Sequence, residues 1–156
     1  MPKEKKPTKN SLKKPKTLSK AKKEAWKEFS IYIRTRDCLK TTSSLEQGAC
    51  ISCGKIFPFK KLQAGHFIPG RHNGNLFSER FVNSQCWQCN APAFLGGKNG
   101  NALAYRKAMI KMYGENAEQE AEEEANKEVQ YKVYQLEELK TEFKLKTKEL
   151  KLLEEL

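Results

Sequence analysis

Two Cys-x-x-Cys pairs, Cys50-Ile-Ser-Cys53 and Cys86-Trp-Gln-Cys89, carry the first recognisable chemistry of this chain. Two residues between thiols let both sulfurs face one point, so the pairs can close a tetrahedral site around one Zn2+ ion. Four thiolates leave the metal no open position for substrate, and such a site serves structure by adding folding free energy. Any catalysis must come from neighbouring groups. The pairs enclose 32 residues, which hold the chain's only histidines, His66 and His72. A neutral imidazole at His66 can take a proton from water that attacks a phosphodiester. A hard cation on oxygen ligands, Mg2+ or Mn2+, would neutralise the phosphate charge in that reaction. A structural role for a single histidine in a zinc module stays open at this point. His72 reads as an exposed loop histidine, Trp87 as a packing residue and Cys38, which has no partner at ligand spacing, as a free thiol.

Charge narrows the partners. The 156 residues carry 30 Lys/Arg and 19 Asp/Glu, a net charge of +11. The excess lies before residue 114, and the segment after it is acidic. A basic surface attracts a polyanion and releases its counterions, which makes nucleic acid the leading partner. Hydrophobic residues make up 38% of the chain, so a large apolar core is not expected and a metal staple suits a unit of this size. There is no apolar run of spanning length and no signal-peptide pattern, so no membrane role is expected. The reading is of an intracellular protein with reduced thiols.

The elements that must position these groups follow from pattern. Residues 1–17, rich in lysine and proline, read as a disordered basic arm. Ala25, Phe29 and Ile33, widened by Trp26 and Tyr32, predict an amphipathic helix from Ser19 as N-cap to about Arg36. Residues 40–49 read as a loop. Lys55–Phe59 and Gln63–Ile68 read as short strands, and Gly70–Asn75 and Gly96–Gly100 as loops. A helix is predicted over Ala102–Tyr113, stopped by Gly114. From Ala117 the chain reads as one long helix. Val129, Leu136, Phe143 and Leu150 repeat every seven residues, with Lys132 and Lys146 interrupting the second seam. A partial coiled coil giving a homodimer and a charged helix packed on its own domain are both open.

The motifs Cys-Ile-Ser-Cys-Gly, Ala-Gly-His-Phe, Glu79-Arg80-x-Val82-x-x-Gln85-Cys86-x-x-Cys89-Asn90 and Tyr113-Gly114, with Phe29-Ser30-x-Tyr32-Ile33-Arg34-x-Arg36-Asp37 before them, resemble the phage NinG/Rap recombination endonuclease family. The layout is also similar to HNH, or ββα-metal, nucleases with a four-cysteine zinc, and to endonuclease VII-type junction resolvases. The resemblance spans about residues 24–114. It implies that Cys50, Cys53, Cys86 and Cys89 hold structural Zn2+ and that His66 is the general base. Asn90 stands where such nucleases place an oxygen ligand for a catalytic Mg2+ or Mn2+. Asn83 stands at the position of a motif histidine. Lys60, Lys61, Arg71 and Arg80 would meet phosphates. The sequence departs from the pattern: Gly65 replaces an acidic residue before the histidine, Gln63 replaces an aspartate, and Phe81 replaces an asparagine. Glu79 is the nearest carboxylate that could compensate.

The resulting expectation is an α+β fold. A small zinc-stapled HNH-like ββα-metal module at residues 18–114 follows the basic arm of 1–17. A long, acidic to mixed-charge helix at 115–156 completes it. The implied function is metal-dependent cleavage of branched or junction DNA in phage recombination. The alternative is a catalytically degenerate zinc module that binds branched or duplex DNA without cutting it.

Overall fold

The structure, a computed structural model, describes residues 14–70 and 72–156. Helix α1 spans Leu18–Thr42 and is capped by Thr17, whose hydroxyl accepts from the Lys20 N–H at 3.2 Å. The cap is therefore two residues earlier than Ser19. The helix also runs six residues past Arg36. Thr41 and Thr42 donate their hydroxyls back to the carbonyls of Asp37 and Cys38, so a Thr/Ser-rich stretch stays helical until Ser43 turns left-handed. Most of the basic arm lies outside the described residues. Lys16, at its end, is pinned to Glu24 (2.7 Å) and Glu137 (2.6 Å).

Two antiparallel ribbons follow. Strand β1 (Gln47–Ala49), in the segment read as a loop, pairs with β2 (Ile56–Pro58), and the first Cys pair forms their connecting turn. A 3-10 turn at Phe59–Lys61 leads to β3 (Leu62–His66), which pairs with β4 (Val82–Cys86). Its register sets Leu62 opposite Cys86 and His66 opposite Val82. The short helix α2 (Trp87–Asn90) starts at Cys86 and carries Cys89. Helix α3 (Ala102–Tyr113) ends at Gly114, whose φ of 92° is readily available only without a Cβ.

The segment read as one long helix is two, α4 (Ala117–Ala125) and α5 (Val133–Glu154). Tertiary contacts make the break, without glycine or proline. Asn73 Nδ2 donates to the Val129 carbonyl (2.8 Å) and the Tyr131 hydroxyl donates to the Asn73 carbonyl (3.2 Å), holding the linker extended. Gln135 Oε1 then accepts from the Lys132 N–H at 2.8 Å and helps restart the helix.

The β3–β4 ribbon lies between two helical layers. On one side Phe29, Tyr32 and Ile33 of α1 bury Val82 together with Phe143 of α5, and Ala21 and Ala25 receive Leu136. On the other side Phe67 and Phe81 pack with Tyr105 and Met109 of α3 and Ala117 and Ala121 of α4. The heptad residues Leu136 and Phe143 thus bury against their own chain, and the expected division at residue 114 does not separate the packing. The fold is α+β, with mixed helices and small sheets. Among the described residues no helix is long and apolar enough to cross a membrane.

Candidate metal centre and the adjoining histidine cleft

The cysteine cluster is assembled from two elements with different local reasons. Cys50 and Cys53 sit in the β1–β2 turn, closed by Cys50 N–H to the Lys55 carbonyl (2.9 Å) and by Gly54 N–H to the Cys50 carbonyl (2.9 Å). Cys86 ends β4, and Cys89 lies one helical turn further on. The Ile51 N–H donates to the Ser84 carbonyl (2.8 Å), tying the turn to β4. The four sulfurs lie within 4.8 Å of one another, with Cys53 and Cys86 4.0 Å apart. A tetrahedral zinc with 2.3 Å bonds needs sulfurs about 3.8 Å apart, so this set fits the ion. Burial pushes the Cys50 thiol up to about 12 and the Cys86 thiol upward. Metal binding must therefore release protons.

What holds β4 in place is a buried ionic clamp from α1. Asp37 accepts from the Ser84 N–H (2.6 Å) and from Arg36 Nε (2.8 Å). Arg36 also donates to the carbonyls of Glu79 and Val82 and to Asn83 Oδ1. Through this clamp α1 sets the position of Cys86 and the second half of the metal centre.

His66 ends β3 and lines a cleft of 450 Å3 together with Trp26, Asn90, Asn99 and Gly100. Its ring stacks on Trp26 of α1, with centroids 5.2 Å apart and planes 13° from parallel. Nε2 lies 3.3 Å from the Leu76 carbonyl. A carbonyl only accepts, so this contact puts the proton of a neutral ring on Nε2 and its lone pair on Nδ1. Asn90 Nδ2 donates to Gln63 Oε1 at 2.8 Å. His66 and Asn90, 24 positions apart, are thus brought to one cleft. Among the described lining residues none is acidic.

Other expected site residues are placed elsewhere. Asn83 is buried; its Nδ2 donates to the Arg80 carbonyl and the Tyr105 hydroxyl, and its Oδ1 accepts from Arg36. It belongs to the polar core and does not line the cleft. Glu79, the carboxylate expected to compensate, accepts from Tyr32 (2.7 Å) and pairs with Lys146. Arg80 pairs with Glu120 (2.8 Å) and lies 4.6 Å above the Tyr113 ring, so its charge is already matched. Arg71 lies outside the described residues. Lys60 and Lys61 are exposed beside Gln63 and Trp87, and Trp87 is 49% exposed, not packed as expected. His72 is exposed, as expected. Cys38 is a buried free thiol, pushed by burial up to about 11.

Sequence reasoning missed three contributors. Trp26 looked like part of the core stripe, yet it forms a wall of the cleft. Lys20, Lys23, Lys27 and Arg34 line one groove with Trp26 on the outer face of α1. Arg34 in turn lies 4.5 Å from the Phe59 ring, next to Lys60 and Lys61. The basic face of α1 therefore continues toward these lysines past the cleft. The third contributor is Gln85, which is fully buried and whose Nε2 donates to Ser52 Oγ and the Gly100 carbonyl, both at 2.7 Å. Its place directly before Cys86, in a strand with no apolar alternation, was the available signal.

A family model described as Bacteriophage Lambda NinG protein matches residues 1–154. The chain belongs to the NinG family. Relatives include protein ninG of Escherichia phage lambda, 29% identical over 130 residues, which cover 83% of this chain and 56% of the relative. Protein ninG of Escherichia phage 933W matches at 29% identity over 83% of this chain and 57% of its own length. The chain thus spans little more than half the length of these relatives. No solved structure matches it.

Proposed function

We propose that this chain is a metal-dependent DNA endonuclease that acts on branched recombination intermediates. The observation that carries the reading is the convergence of His66 and Asn90 on one cleft beside a four-cysteine metal centre. The order β3, β4, α2, with the histidine on the first strand and the asparagine on the helix, supports an HNH-like ββα arrangement. In this reading Zn2+ staples β1–β2 to β4–α2 and takes no part in the chemistry. His66 accepts a proton from water through Nδ1 while the Leu76 carbonyl and the Trp26 face fix the ring. The water oxygen adds to phosphorus, the P–O bond to the leaving sugar breaks, and the leaving oxygen gains a proton. Asn90 offers a neutral oxygen for a Mg2+ or Mn2+ ion, which would supply charge neutralisation at the phosphate. Lys20, Lys23, Lys27, Lys60 and Lys61 hold the backbone of the duplex along α1, a sequence-independent contact.

A second reading has its own observation. No acidic residue is among the described lining residues, and neutral oxygens alone bind a divalent ion weakly. A module that binds branched DNA without cutting it would show that feature. Incubating the zinc-loaded protein with four-way-junction and linear DNA, with Mg2+, Mn2+ or chelator, separates the two. The nuclease reading predicts strand cleavage only with added divalent ion; binding without cleavage in every condition favours the second.

A further inference from the structure

Trp87 stands between the two cysteines of the second pair and outside the His66 cleft. Cys86 and Cys89 are buried on either side of it, and the Ala91 N–H donates to its carbonyl at 2.7 Å, so the backbone here is held firmly. Its indole nonetheless stays 49% exposed, although few side chains gain more from burial. The groove in front of the ring is lined by Phe57, Lys60, Lys61, Gln63 and Gln88, and no carboxylate is among its described lining residues. Arg34, over the Phe59 ring, carries the positive charge on to the outer face of α1. An aromatic face beside cations, with no anion near it, complements a planar group on a negatively charged chain. A nucleobase on its phosphodiester backbone is such a group. A protein partner would have to bring acidic groups to both lysines.

One hydrogen bond relates this groove to the His66 cleft. Gln63 lines the groove, Asn90 lines the cleft, and Asn90 Nδ2 donates to Gln63 Oε1 at 2.8 Å. The two sites share that wall. We propose that Trp87 is a stacking platform for an unpaired base of the nucleic acid, with Lys60 and Lys61 on the flanking phosphates. Inside a duplex both faces of a base are covered by its neighbours, whereas an unpaired nucleotide at a branch point has a face to offer. Every base has such a face, so the platform reads the pairing state of a strand and not its sequence. A strand stacked on Trp87 lies next to His66, which presents phosphates beside unpaired nucleotides to the cleft. The proposal rests on the nucleic-acid binding in the reading above and deepens its choice of a branched substrate; stacking itself needs no cleavage.

Binding by the zinc-loaded full chain, without added Mg2+ or Mn2+, tests the platform. The probes are a short fluorescent thymidine strand and an abasic strand with the same number of phosphates, so that charge contributes equally to both. The parent should bind the thymidine strand about 5- to 150-fold more tightly, the range for one stacked base. Trp87→Ala should lose that preference, with its affinity for the abasic strand and its zinc-to-protein ratio at the parent's values, and Trp87→Phe should keep part of it. Lys60→Gln should weaken both strands alike. In NMR spectra of the parent the Trp87 indole signals should shift with the thymidine strand and stay in place with the abasic one, a readout that decides should Trp87→Ala fail to hold zinc. Equal affinity for the two strands, an undiminished preference in zinc-loaded Trp87→Ala, or unmoved Trp87 signals at saturating thymidine strand would overturn the proposal and leave the indole to a protein surface. Stacking at Trp87 without cleavage of a four-way junction in Mg2+ or Mn2+ removes the nuclease reading only; cleavage without stacking removes the platform only.

Discussion

Single residues divide into those whose type announces their role and those whose surroundings decide it. The cysteines are of the first kind, because two thiol pairs, each with two residues between its members, can close around one ion. Asn83 is of the second. Its position in a motif suggested chemistry, but its two donor hydrogens and its oxygen are all engaged by Arg80, Tyr105 and Arg36 in the core. Asn83→Ala should therefore lower unfolding free energy by about 2 kcal/mol, read by urea denaturation, and leave cleavage per folded molecule unchanged. A hundredfold loss of cleavage at unchanged stability would return Asn83 to the site. His66 and Asn90 were legible through the resemblance. Trp26 was not, since a tryptophan in an apolar stripe carries no signal until the cleft forms beside it.

Among the elements, α1 and α3 were readable from periodicity and from Gly114, while β4 was not. Its sequence, Val-Asn-Ser-Gln-Cys, lacks an apolar alternation, yet all five residues are buried. The strand is possible because Asp37 and Arg36 meet its backbone and side chains from a helix more than 40 positions away. Removing the carboxylate with Asp37→Ala leaves Arg36 and the Ser84 N–H unmatched, and should cost about 3 kcal/mol, seen as a lowered urea midpoint. A change within 0.5 kcal/mol, the scale of an ordinary surface substitution, would show that β4 is held by packing alone. The turns bearing the cysteines have little apolar support of their own, Phe57 being the partly buried residue against the cluster. Stripping the metal with a strong chelator should lower the melting temperature by roughly 10 °C, as a loss near 4 kcal/mol implies for this size. An unchanged melting curve after verified metal removal would contradict the staple.

At the scale of the molecule, the C-terminal half closes the fold. Its helical propensity was legible, but the break at 126–132 depends on Asn73 and Tyr131, which no local pattern encodes. The docking of α5 on α1 combines Phe143 and Leu136 with the Lys146–Glu79–Tyr32 cluster. Burial raises the Glu79 carboxyl, but hydrogen bonds from Lys146 and Tyr32 outweigh it and hold the group below its usual 4.5. A depressed folded value adds stability at pH above 4.5, and that stability is lost as the pH falls through the folded value. Acid titration followed by circular dichroism should show a loss of stability below pH about 4.5, diminished in Glu79→Gln. Identical acid profiles for the two proteins would remove this cluster from the closure.

The charge layout then has a clear sense, since the basic face of α1 shares Trp26 with the cleft while the glutamate-rich α4 packs on the other side of the ribbon. The claim at the centre is that His66 activates water for phosphodiester hydrolysis. Single-turnover cleavage of a four-way junction, compared between the zinc-loaded protein and His66→Ala with DNA affinity measured in parallel, tests it most directly. The account predicts a loss of about 10²–10⁴-fold in rate, the range of a positioned general base, with affinity and zinc content preserved. Cleavage by His66→Ala at the parent's rate would contradict it.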